Sequence, residues 1–199
     1  MRHKPQLSVL VLPGGTDSSY RPFRPWQGSA LRMYPFTWSI AARFGRNVAV
    51  RQVRYRVYGW NGGQASPVPY ARATLDAITR KHPGVPVVLI GHSMGGRVAA
   101  RLAADPRIVG VLALAPWWPD ADLHSVHNGV RVLALHGDAD TITFACDTEK
   151  EIADLHRRGI DATFVSIPYG KHPMLDHVRL WQSAAIDFVS DELQRQQAR

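Results

Sequence analysis

Cysteine is almost absent: the 199 residues contain one, Cys146. A single thiol cannot close an internal disulfide, which excludes a disulfide-stapled secreted scaffold and a Cys-based metal framework and fits a reducing compartment. Long apolar runs are missing as well, and none approaches the ~20 residues of a membrane-spanning helix. Arg2, His3 and Lys4 ahead of Leu7 to Leu12 imitate a signal peptide. The apolar stretch is too short, however, and Pro13-Gly14-Gly15 stands where a small-residue cleavage site belongs, so the segment is read as a first strand. A cytoplasmic protein without a membrane span is therefore expected. Runs of like charge are also lacking. The formal net charge of +8 comes mostly from arginines scattered along the chain, with no basic stretch interleaved with aromatics, so a basic solvated surface is expected and no nucleic-acid partner. Neither a Gly-rich phosphate loop nor a metal-ligand spacing occurs, and no cofactor or metal is implied.

What is present is an ordinary globular composition, 45% hydrophobic and 20% charged, at a length suited to one well-buried domain spanning 1–199. Leu7 to Leu12 is a nearly continuous apolar run, as in a strand buried on both faces. Similar runs recur at Val48 to Val50, Pro86 to Ile90, Ile108 to Leu114, Val130 to Leu135 and Ala162 to Ile167. The alternation of Val53, Tyr55 and Val57 with Arg54 and Arg56 extends the second of these as a half-solvated strand. Between the strands lie helical patterns: Ser29 to Phe44, interrupted by Pro35, then Tyr70 to Arg80, Met94 to Ala104 and Phe144 to Arg158. A last helix, Asp176 to Gln194, repeats Val178, Trp181, Ala185 and Phe188 on its inner face. Strands alternating with helices predict a three-layer α/β/α sandwich around a mostly parallel sheet of about six strands.

In open parallel sheets, ligands bind at the carboxyl ends of the strands. Those ends carry Pro13-Gly14-Gly15-Thr16, Gly91-His92-Ser93-Met94-Gly95-Gly96, Pro116-Trp117-Trp118, His136-Gly137-Asp138-Ala139-Asp140 and Tyr169-Gly170-Lys171-His172. The Gly-x-Ser-x-Gly pattern lies on a strand-to-helix turn, which lifts the serine hydroxyl above the sheet edge. A nucleophile, a carboxylate and an imidazole thus arrive at three strand ends in the order Ser93, Asp140, His172.

That order and spacing resemble the α/β-hydrolase superfamily over nearly the whole chain, from about Leu7 to Val189. The resemblance implies a serine hydrolase in which His172 is the base, Asp140 orients it, and Ser93 attacks. It further implies two backbone oxyanion donors, Met94 and either Gly15 or Thr16, although Pro13 stands where many relatives carry a histidine. For the acid, Asp140 competes with Asp138, Asp120 and Asp122; for the base, His172 competes with His177 and His136. His92 is expected to pack and hydrogen-bond rather than act as a base. Trp117 and Trp118, joined by Trp60, are candidates for a pocket wall. With only about fourteen residues between the fourth and fifth strands, no cap domain is expected, the Thr16 to Trp26 and Trp117 to Asn128 loops bordering an open site. The implied substrate is a small or medium carboxylic ester, thioester or lactone. The alternatives are acyl transfer by the same groups and a non-catalytic ligand-binding relative.

Overall fold

A computed structural model describes residues 4–119 and 122–198. Six strands, β1 (Leu7–Leu12), β2 (Val48–Gln52), β3 (Val87–His92), β4 (Ile108–Leu114), β5 (Arg131–Gly137) and β6 (Ala162–Ile167), form one sheet in the order β2-β1-β3-β4-β5-β6. Every neighbouring pair is parallel. The connections carry helices α1 (Gly28–Leu31), α2 (Tyr34–Phe44), α3 (Val68–Lys81), α4 (Met94–Leu102) and α5 (Ala145–Arg157), and α6 (Val178–Gln197) follows β6.

The continuous apolar runs divide between two cores because successive side chains on a strand point to opposite faces. From β1, Leu10 and Leu12 join Ala71 and Leu75 of α3, Val98 of α4 and Leu155 of α5. Leu7, Val9 and Val11 join Phe36 and Ile40 of α2 and Trp181, Ala185 and Phe188 of α6 on the other face. The result is the expected three-layer sandwich. Between β4 and β5 no helix intervenes among the described residues, so nothing caps the carboxyl edge from that side. No described helix is long and apolar enough to cross a membrane.

Three local expectations are corrected. Pro35 does not interrupt a helix; it occupies the first turn of α2, where its missing N–H costs nothing, and the short α1 is a separate piece. The second strand stops at Gln52, because its only partner, β1, ends there: Gln52 pairs with Val11, and Val53 makes one last hydrogen bond to the Val11 carbonyl. Beyond it Val53 and Tyr55 still turn inward while Arg54 and Arg56 are exposed, but the chain has left the sheet. Val178 is 47% exposed, since α6 begins at that residue and its buried stripe starts one turn later at Trp181.

The ends of β5 and β6 approach so closely that a Cβ on Gly137 would lie 2.1 Å from the Gly170 carbonyl oxygen. Gly137→Ala should therefore destabilise the protein by about 1–3 kcal/mol, the usual scale of overpacking, measured from urea unfolding midpoints. Gly63→Ala, at a glycine with open space around it, should leave the midpoint within error.

Candidate active site

Ser93 sits between β3 and α4 with φ 55° and ψ −121°, a conformation that L-residues rarely adopt. Two glycines permit the turn. A Cβ on Gly91 would lie 2.3 Å from the Gly95 carbonyl oxygen, and one on Gly95 would lie 2.0 Å from that of Leu12. The Ser93 backbone is tied to the next strand: its N–H donates to Leu114, and its carbonyl accepts from Gly96 and Trp117. The side chain is held out from the turn and toward the loop that follows β6.

From that loop His172 places Nε2 3.0 Å from Ser93 Oγ. Its Nδ1 lies 2.7 Å from Oδ2 of Asp140, which follows β5. The three side chains form one hydrogen-bonded line, with the Ser93 hydroxyl donating to Nε2 and Nδ1–H donating to the carboxylate. Asp140 collects further donors: the N–H groups of Ile142 (2.8 Å) and Thr143 (3.1 Å) on Oδ1, and the Thr143 hydroxyl (3.0 Å) on Oδ2. His136 Nε2, 3.2 Å from the same Oδ2, also faces the Thr143 carbonyl, so that nitrogen carries a proton and donates. Its Nδ1 is engaged by the Thr148 hydroxyl at 2.8 Å. Burial alone would raise the Asp140 pKa; hydrogen bonds from His136, His172, Ile142 and Thr143 outweigh it and hold the carboxyl well below the usual carboxylate range.

The competing residues go elsewhere. Asp138 accepts the Tyr169 N–H at 2.6 Å and organises the β5–β6 turn contact. Asp122 is fully buried against Arg97 and Arg101, away from the histidine line. Asp120 lies outside the described residues. His177 is an exposed residue at the start of α6 with φ 52°. His136 touches the acid and not the serine. His92 donates from Nε2 to the His172 carbonyl at 2.9 Å, and its ring centroid is 4.9 Å from that of His172. Burial, then the nearby charges of His172 and Arg32, push His92 down to about 3, so it stays neutral.

Of the oxyanion candidates, Met94 opens α4, where an N–H has no partner within the helix. The Thr16 N–H is given to the Tyr58 carbonyl at 3.2 Å, whereas Gly15 packs its Cα under the Met94 thioether, with no room for a Cβ. The two tryptophans separate. Trp118 is buried and its indole N–H donates to the Gly96 carbonyl, so it props α4 and is not a pocket wall. Trp117 and Trp60 clasp the Arg97 guanidinium at 4.7 and 4.4 Å and line a cavity of about 850 Å³. Sequence reasoning missed Arg97, Thr143 and the Asp140 contact of His136. The spacing His136-x-x-x-Asp140-x-x-Thr143 was the available signal for the last two. Among the described residues no cluster of three or more His, Cys, Asp or Glu is placed to hold a metal ion.

The model of the alpha/beta hydrolase family matches residues 9–191. The chain belongs to that family. No curated protein matches it significantly in sequence. Solved structures resemble this α/β hydrolase in fold. XC6422 of Xanthomonas campestris, described as an α/β serine hydrolase without lid, is 20% identical with a TM-score of 0.70, over 94% of this chain and 83% of its own. Est1E of Butyrivibrio proteoclasticus is 15% identical with a TM-score of 0.69, over 99% of this chain and 90% of its own. MGS-M1, an α/β hydrolase from a Medee basin deep-sea metagenome, is 17% identical with a TM-score of 0.72, over 96% and 86%.

The buried neutral His92 makes a pH prediction. Unfolded, it binds a proton near pH 6.5; folded, it resists down to about 3. Between these values the unfolded state holds more protons, so stability falls as pH falls, by about 1.4 kcal/mol per pH unit from this group. The Asp140 contribution, from a lowered pKa, is present above about pH 4 and is lost only below it. Melting temperature should drop between pH 6.5 and 4.5, and the slope should flatten in His92→Gln.

Proposed function

We propose that this α/β hydrolase cleaves small or medium carboxylic esters, thioesters or lactones through an acyl-Ser93 intermediate. The observation that carries the proposal is the line of hydrogen bonds from Ser93 Oγ through His172 to Asp140, at 3.0 and 2.7 Å. A serine hydroxyl is a poor nucleophile until a base within reach removes its proton. Here His172 Nε2 takes that proton as Oγ attacks the carbonyl carbon. The carbonyl π electrons move onto oxygen, and the backbone N–H groups of Met94 and Gly15 receive the oxyanion. Gly15 is preferred to Thr16 because the Thr16 N–H is already engaged. The ionised Asp140 stabilises the imidazolium and fixes its tautomer.

Collapse of the tetrahedral adduct breaks the bond to the alcohol or thiol, which leaves with the proton from His172. Water then attacks the acyl carbon, its proton passing to His172, and the second collapse releases the carboxylic acid and restores Ser93. Among the described residues no helix lies between β4 and β5, an arrangement that leaves the acyl-enzyme open to solvent and favours water over other acceptors. A relative that only binds ligands would gain nothing from a nucleophile–base contact or from a carboxylate held ionised by several donors. The likeness to XC6422, named a serine hydrolase without lid, is in keeping with this reading. The lone, exposed Cys146 suits a cytoplasmic setting.

A fluorophosphonate probe should label the protein once, on Ser93, as read by peptide mass, and Ser93→Ala should abolish labelling. With p-nitrophenyl acetate, His172→Gln and Asp140→Asn should each lower kcat by about 10³–10⁴-fold, and Asp138→Asn by little. Labelling that survives Ser93→Ala, or an Asp140→Asn variant of wild-type rate, would sink the assignment.

A further inference from the structure

Arginines on this protein are as a rule paired when they are buried. Arg97 lies on Asp122, and Arg107 on Asp105 and Asp76. Arg32, at the end of α1, is different. It is half-buried, yet among the described residues its guanidinium has neither a carboxylate partner nor a side-chain hydrogen bond. Removing a cation from water without a counter-charge is costly. Burial lowers the Arg32 pKa, with Tyr58 nearby as the only group acting the other way. The guanidinium keeps part of its contact with water, and an anion that visits the site would gain a charge-assisted hydrogen bond from it.

The surroundings say where that anion comes from. Arg32 lines a groove of about 370 Å³ whose other walls are apolar apart from Gln182, among them Leu31, Phe36, Met174, Val178 and Trp181. Pro173 and Met174, also in the wall, directly follow His172, so the groove runs beside the loop that carries the candidate base. The charge of Arg32 is within electrostatic reach of His92, whose ring lies against that of His172. Leu175 and Val178 continue the apolar rim outward, 74% and 47% exposed. A largely apolar trough bordered by the segment that follows His172, and carrying one cation without a carboxylate partner, fits a chain with a hydrocarbon spacer and an acidic group.

We infer that Arg32 receives a carboxylate carried by the substrate, so that the favoured substrates are esters bearing a free acid beyond an apolar spacer laid in the groove between α1 and the Pro173–Leu175 segment. This rests on the ester-hydrolase reading above and deepens it. The carboxylate belongs to either the acyl or the alcohol portion of the ester.

The test compares each acid with its methyl-capped counterpart as substrate. For the acyl side the pairs are mono-p-nitrophenyl esters of succinic to suberic acid and their methyl p-nitrophenyl diesters. For the alcohol side the pair is 4-acetoxybenzoate and methyl 4-acetoxybenzoate. In one arm, wild type should show a kcat/KM at least tenfold higher for the acid, and the advantage should shrink in 0.5 M NaCl. Arg32→Met should lower the acid-to-neutral ratio by about 10–100-fold, the span of a charged hydrogen bond, and Arg32→Lys should restore part of it. Equal handling of acid and neutral esters by wild type in both arms overturns the proposal. So does a ratio unchanged in Arg32→Met, which would mean that Arg32 serves the fold or the reacting centre. These failures differ from failure of the ester-hydrolase reading, in which no ester is turned over and Ser93 does not react with a fluorophosphonate.

Discussion

At the carboxyl edge of the sheet three backbones meet with no side chain between them. The carbonyl of Leu12 at the end of β1, the turn at Gly91 and the first turn of α4 at Gly95 approach to distances that exclude even a methyl group. This contact fixes where α4 starts, and therefore which residue must bridge strand and helix with a positive φ. Ser93 is that residue, and its backbone conformation stores strain on the order of 1–3 kcal/mol. The surrounding hydrogen bonds to Leu114, Gly96 and Trp117 leave it no relaxed alternative. A second close approach, Gly137 against Gly170, does the same for the strand ends that deliver Asp140 and His172. The spacing of the three side chains thus follows from backbone contact, with side-chain packing playing a secondary part.

Electrostatics then separates the titrating groups around that frame. Asp140 is buried, which by itself would favour the neutral acid, but its two oxygens receive hydrogen bonds from both His136 and His172, from Thr143 and from two backbone N–H groups. It remains ionised. His92, a few ångströms away, experiences the opposite balance, because burial and neighbouring cations disfavour its charge. One imidazole is thus kept as a neutral donor to the His172 backbone while another bridges serine and carboxylate. Arg97, clasped by Trp60 and Trp117 and paired with Asp122, makes the opposite wall rigid without leaving its charge unbalanced.

Much of this was legible in the amino-acid order, for physical reasons. Parallel strands buried on both faces are continuous apolar runs, so the four inner strands β1, β3, β4 and β5 and the layer arrangement stood out directly. Ser93, Asp140 and His172 were visible because each follows such a run, and the strand-end rule converts chain position into spatial neighbourhood. The extent of β2 was not legible: Val53 and Tyr55 alternate with arginines and are buried as a strand would bury them, but ladder pairing depends on how far β1 runs. Pro35 gave an ambiguous signal, since proline both ends helices and begins them. Trp117 and Trp118 are adjacent and chemically alike, and only the rotation of the chain after β4 sends one to the cavity and the other beneath α4. Arg32 carried no motif, because its character lies in what surrounds it.

Ser93 and His172 are 79 residues apart in the chain, and Asp140 and His172 are 32 apart. Contacts of that range form only after the intervening strands have docked. No fragment ending before β6 contains the imidazole, and the imidazole has no fixed place until β6 has paired with β5. On the proposed mechanism a partly folded chain therefore carries an inert serine, and the serine–imidazole contact arrives only with the last strand and the helix that follows it.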